Sequence, residues 1–171
     1  MNRNYNALIL KSVKITAGAI LAILFASCLN LKYSATAGII TILSIQNTKK
    51  ETIQTALARG EAFCCALLVS FLCYNFFGYT TAAFGIYLLV FTTLCLAMKW
   101  SSAIAMDSVL ITHFLAEKIM NIPMIANEIS LFLIGAGIGV LLNLSLRPKE
   151  NEWKDKMAEA DESIRSIIKR M

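Results

Sequence analysis

The chain has 171 residues, of which 57% are hydrophobic and 16% charged, with a formal net charge of +5 at pH 7, and its mean hydropathy is +0.65. A soluble domain carries about 25% charged residues and does not gather its apolar residues into long runs, so the composition excludes an ordinary soluble fold and points to an integral membrane protein. The positive balance does not mark a nucleic-acid binder, because the basic residues stand at the ends of apolar runs, where topology signals lie.

Arg3, Lys11 and Lys14 precede the first apolar run, residues 15–29. Phe25, Ala26, Ser27 and Cys28 loosely match a lipoprotein cleavage box, but Phe stands where a small aliphatic residue belongs and more apolar runs follow. The run therefore reads as an uncleaved first span. After a tight turn at 30–33 comes a second apolar segment, 34–45, too short for a hydrocarbon core that needs about 20 helical residues. Its small residues Ser34, Ala35, Ala37 and Gly38 let a neighbouring backbone approach closely. Such a helix persists in a membrane only where it packs in protein or lines a wet cavity.

The chain then turns polar at Gln46, Asn47 and Thr48 and reaches Lys49 and Lys50. Thr48 and Glu51 have capping-box spacing, which predicts a helix starting at Lys49. Two lysines in a first turn oppose the helix dipole, so an anionic ligand or membrane surface is needed to favour them there. The third span covers about 56–77, an uncharged turn 78–80, and the fourth span 81–98, closed at an interface by Lys99 and Trp100. The fifth, 101–116, is the most polar, with Ser101, Ser102, Asp107, Ser108, Thr112 and His113. A loop with Glu117, Lys118, Asn121 and Pro123 leads to the sixth, about 125–146, where Gly135 and Gly139 have close-packing spacing.

Alternating these segments puts Arg3, Lys11, Lys14, Lys49, Lys50, Arg59, Lys99, Arg147 and Lys149 on one side and only Lys32 and Lys118 on the other. The positive-inside rule then predicts a multi-pass protein of the cytoplasmic membrane with both termini in the cytoplasm. After Pro148, Trp153, Met157, Ile164, Ile168 and Met171 form one apolar stripe at helical steps. The expected fold is thus all-α: a polytopic bundle of about six spans, the second short, over residues 1–148, and a cytoplasmic amphipathic helix over 149–171. That helix suits the membrane surface or a partner helix.

No hydrolase, kinase or nucleotide-binding motif is present, so neither an enzyme nor a cofactor is expected. The five cysteines lie in apolar runs without CxxC spacing, and one histidine cannot build a His-based metal site. Asp107, a carboxylate deep in an apolar span, reads either as a proton carrier or as a structural residue bonded to neighbouring hydroxyls. His113 lies about 120° round the helix from Asp107 and pairs more naturally with Glu117 at i, i+4. Its side chain suits proton exchange, with a structural role as the alternative. Lys49, Lys50 and Arg59 are either topology charges or collectors of organic anions at the inner mouth of a pathway.

The segment SATAGIITILSIQNTKKETIQTALAR, the later SVLITH and the glycine-bearing last span resemble the bacterial aromatic acid exporter family, within the fusaric-acid-resistance-like superfamily, over about residues 6–148. Plant aluminium-activated malate transporters are more distantly similar in architecture. The resemblance implies a six-span module in a lipid bilayer, assembled as a homodimer or higher homo-oligomer, that exports small organic anions such as aromatic carboxylates on the proton gradient. Members usually carry a sizeable cytoplasmic helical domain after the membrane module, where this chain has the single helix 149–171, a departure that leaves a truncated or regulatory form open. Substrate contact is expected at Gln46, Asn47, Lys49, Lys50 and Arg59, where charge-assisted hydrogen bonds would hold a carboxylate. Proton coupling is expected at Asp107 and His113. The alternatives are a membrane anchor whose final helix recruits a cytoplasmic partner, and a passive anion channel.

Overall fold

The computed structural model describes residues 2–45 and 49–145, together with Met157 and Asp161. Among the described residues there are six α-helices and no strand: α1 (Asn2–Cys28), α2 (Ala35–Leu43), α3 (Lys49–Phe77), α4 (Thr81–Ala97), α5 (Ile104–Glu117) and α6 (Ile122–Ser145). Helix α3 is described from Lys49 onward, and Thr48 of the expected capping box lies outside the described residues. Pro123 belongs to the first turn of α6, where a missing amide is harmless, and Asn121 caps that turn by accepting from Met124 N at 3.0 Å. Of the helix expected over 149–171, only Met157 and Asp161 are described, both helical.

The expectation of six spans narrows at two helices. At 9 and 14 residues, α2 and α5 are about 13 and 21 Å long, short of a core about 30 Å thick. Length and apolar character suffice for a crossing in two stretches, Glu51–Phe77 and Ile122–Leu144, with shorter apolar stretches at Ser12–Cys28 and Thr81–Ala97.

Both short helices are introduced by the same device. Helix α1 closes on a left-handed residue, Asn30 (φ 53), with Leu31 N donating to Ala26 O at 3.1 Å. Helix α4 closes on left-handed Lys99 (φ 62), with Trp100 N donating to Cys95 O at 2.7 Å. These are Schellman-type ends that satisfy otherwise unpaired terminal carbonyls. A turn follows in each case: Thr36 N donates to Tyr33 O and Ala103 N to Trp100 O, both at 2.8 Å. The tripeptides Lys32-Tyr33-Ser34 and Lys99-Trp100-Ser101 are similar, although the first lies two residues further from the left-handed residue that closes its helix than the second.

Helix α2 is wedged between α1 and α6. Gly38 sits against Ala19 O and Ile23, while Gly135 and Gly139 sit against Ala37, Ile40, Thr41 and Ser44. The close approach expected of Gly135 and Gly139 is present, and Thr41 Oγ1 uses it to donate to Gly135 O at 3.1 Å. The principal packed pairs are α1 with α2 and α6, α4 with α5 and α3, α2 with α6, α5 with α3, α2 with α5, and α3 with α6. Exchanging α1–α3 with α4–α6 returns the same set, so the packing has a two-fold pattern. One core joins Tyr74, Tyr87, Phe91 and Phe114, and the other Ile40, Phe63, Met106, Leu110 and Leu131. The outer surface is strongly apolar: Leu68, Phe76, Leu89, Leu133 and Leu141 are 63–75% exposed. A surface of this kind calls for lipid or another subunit.

Candidate functional site

Polar groups gather at the two ends of α2. At its C-terminal end stands Arg59, from the second turn of α3 onward the first buried cation, only 5% exposed. Its Nε donates to Ser102 O at 3.1 Å and its Nη1 to Leu43 O at 2.9 Å, with Ser44 Oγ at 3.5 Å. The last carbonyls of α2 have no partner within the helix and carry its negative dipole end, so a buried guanidinium is favoured there. One side chain thereby ties the end of α2 to the turn before α5. Arg59 is thus held inside the bundle and is not a solvated charge at a mouth.

Asp107, on the first turn of α5, is fully buried and within electrostatic reach of Arg59. Neither of its carboxylate oxygens is hydrogen-bonded among the described residues, and the hydroxyls of Tyr87 and Ser108 are also unbonded. The hydroxyl partners of the structural reading are therefore not found. Burying a carboxylate without hydrogen bonds is costly, and here the compensating charge is Arg59.

Gln46 and Asn47 lie outside the described residues. Lys49 and Lys50 form the first turn of α3, while their side chains lie outside the description. That end of α3 is fastened to α6 by a hydrogen bond from Asn143 Nδ2 to Thr52 Oγ1.

The other end of α2 faces a second cluster. His113 Nδ1 is 2.7 Å from Glu128 Oε2 and its Nε2 is 3.3 Å from Thr36 Oγ1, with the Tyr33 ring stacked on the imidazole at 4.0 Å. The expected His113–Glu117 pairing is corrected here. Glu117 ends its helix and reaches outward, accepting from Lys32 Nζ at 2.9 Å and Tyr33 Oη at 3.1 Å, while α6 brings Glu128 against the imidazole. Asn127 donates through Nδ2 to Glu128 Oε1 at 3.0 Å and to Lys32 O at 3.1 Å, and accepts from Lys32 N at 2.8 Å. Hydrogen bonding and charge from Glu117 hold the Lys32 ammonium above its ordinary 10.5. Burial, then Glu117, raises the Tyr33 hydroxyl above 10.0. Beside this cluster opens a cleft of about 440 Å³ lined by Lys32, Glu117, Asn121, Met124 and Asn127.

Asp107 and His113 therefore belong to different clusters at opposite ends of α2. Sequence reasoning missed Glu128, although the rule that singles out Asp107 applies equally to a carboxylate in the sixth apolar run. Among the described residues no group of three or more His, Cys, Asp or Glu side chains is placed to hold a metal.

Residues 7–146 match the profile of aromatic acid exporter family member 1. Over 134 residues the chain is 36% identical to the uncharacterized protein YqjA of Bacillus subtilis (strain 168), covering 78% of this chain and 42% of that protein. The chain thus spans less than half of that relative's length. No solved structure matches it. The profile takes in all six helices and both polar clusters, and the chain belongs to the aromatic acid exporter family.

Proposed function

We propose that this chain is a membrane module that exports organic anions, with aromatic carboxylates as the substrate class and the proton gradient as the driving force. The observation that carries the reading is Arg59, a cation buried where the two short helices meet and within electrostatic reach of the unbonded carboxylate of Asp107. Family membership supports membrane transport over enzymatic chemistry. The exposed apolar side chains support a lipid bilayer around the bundle and a second copy of the chain beside it. The placement of both termini in the cytoplasm rests on the distribution of Lys and Arg along the sequence.

In this reading Gln46, Asn47, Lys49 and Lys50 collect the carboxylate at the cytoplasmic corner, and Arg59 supplies the positive field further in. The guanidinium is committed to two carbonyls, so it acts through charge and through the position it gives α2 and α5. A proton on Asp107 removes the negative charge beside Arg59, which links the anion to the proton.

The test is uptake of labelled hydroxybenzoate into inverted proteoliposomes holding the full chain, with and without an inside-acidic gradient. Accumulation that needs the gradient and disappears in Asp107→Asn supports the reading. No movement under either condition, with correct insertion verified, replaces it by the anchoring role.

A further inference from the structure

We propose that His113 and Glu128 form a proton-binding site at the outer end of the bundle, filled from the cleft beside Lys32 and Glu117 and sensed by Thr36 at the start of α2. Its role in transport rests on the proton-driven export proposed above; the binding of the proton does not.

The hydrogen bonds constrain the proton positions. Glu128 Oε1 accepts from Asn127 Nδ2, and Oε2 lies 2.7 Å from His113 Nδ1. With Glu128 ionised, the shared hydrogen sits on Nδ1 and Nε2 is the nitrogen that gains or loses one. Opposite Nε2 stands the Thr36 hydroxyl, which can donate to the neutral ring or accept from the protonated one. Without the extra proton the pair holds one net negative charge, with side chains only 8% and 0% exposed. With it, the pair is a neutral imidazolium–carboxylate couple. One proton thus removes the net charge of a pair whose side chains are almost wholly buried.

The surroundings fit that role. Lys32, Tyr33 and Glu117 close the side toward the cleft, Asn127 and Glu128 come from α6, and Thr36 from α2. On the α3 side, the Tyr74 hydroxyl donates to Ile111 O and faces α5 two residues before His113. Lys32 and Glu117 pair with one another at the cleft.

The two-fold packing pattern supports the assignment independently. Arg59 of α3 joins the end of α2 to the turn before α5. Asn127 and Glu128 of α6 join the last turns of α5 to the turn before α2. The acidic cluster thus occupies in one half the place that Arg59 occupies in the other.

His113 is the chain's only histidine, so protein labelled with ¹⁵N-histidine and reconstituted in lipid reports on this site alone. Titrated from about pH 5 to about pH 9, where an imidazole exchanges its proton, Nδ1 is expected to keep its hydrogen throughout while Nε2 changes state. An Nε2 that stays in one state over that range, or an Nδ1 that loses its hydrogen, overturns the proposal. Coupling is read in the same vesicles as gradient-driven hydroxybenzoate accumulation divided by gradient-free exchange. Glu128→Gln and Thr36→Val are each expected to lower that ratio about tenfold, within the usual range of coupling between two ligands. Full gradient dependence in both variants overturns the coupling role. A wild type that exchanges hydroxybenzoate but ignores the gradient instead defeats proton-driven export, with the titration still deciding the proton site.

Discussion

Three glycines in one helix allow the packing of α2 to be measured against an internal control. An alanine Cβ at Gly135 would lie 2.6 Å from Ala37 O and 2.6 Å from Ile40 Cβ, and one at Gly139 would lie 2.5 Å from Ser44 Cβ and 2.9 Å from Thr41 O. These neighbours are backbone or are fixed by it, so α2 itself would have to move. Gly137, one turn or less from both, has nothing within 4 Å. Each Gly→Ala change gains about 1 kcal/mol of helix propensity, which cancels when the three variants are compared with one another. What remains is overpacking, about 1–3 kcal/mol. Gly135→Ala and Gly139→Ala should therefore be less stable than Gly137→Ala by that amount, with Gly135→Ala also straining the hydrogen bond from Thr41 Oγ1 to Gly135 O. Thermal unfolding in detergent, followed by circular dichroism, checks this. Equal midpoints for all three variants would refute the wedge of α2 against α6.

Arg59→Lys should destabilise the bundle by about 1–3 kcal/mol, because one ammonium cannot reproduce the fork that reaches Ser102 O and Leu43 O, and uptake of hydroxybenzoate should fall with it. Asp107→Asn preserves shape but leaves the buried Arg59 without its opposing charge; its unfolding midpoint should fall below the wild type's while gradient-dependent uptake is lost. Lys50→Ala should reduce export with membrane insertion intact, which protease protection of the termini would verify; normal export removes Lys50 from the pathway. Glu117 raises the Lys32 ammonium above 10.5, so its contribution to stability is complete below that value and fades as pH rises through the raised one. The difference in unfolding midpoint between wild type and Lys32→Gln should accordingly be larger near pH 8 than near pH 11.

The helices were legible because each apolar run is punctuated by residues with a mechanical reason to be there. Gly135 and Gly139 predict a close neighbour on α6. The neighbour's identity was not legible, since glycine spacing says that something approaches and not what. The same limit explains Arg59. A cation near the start of an apolar helix reads as a topology charge, and only the fold shows that it turns inward onto the end of α2. His113 was visible as a proton-exchanging side chain, but helical spacing favours local partners and so pointed to Glu117. The true partner, Glu128, is 15 residues away on α6. The similarity of Lys32-Tyr33-Ser34 to Lys99-Trp100-Ser101 was available in the sequence and hidden by its shortness.

The two-fold packing pattern accounts for where the polar groups fall. Two helices too short to span a bilayer end within the bundle, where their terminal backbone groups need partners. The long third helix of each half supplies the missing partner: α3 offers Arg59 to the carbonyls of Leu43 and Ser102, and α6 offers Asn127 to the backbone of Lys32. Having met the same structural demand, the two halves diverge in charge. Arg59 leaves a positive centre at one end of α2, and Glu128 leaves a negative one, balanced by His113, at the other. The ends lie about 13 Å apart along the α2 axis. A common scaffold thus carries a basic group at one end of α2 and an acid–imidazole pair at the other. Because α2 touches both clusters, through Leu43 and through Thr36, a shift of this one short helix changes both at once.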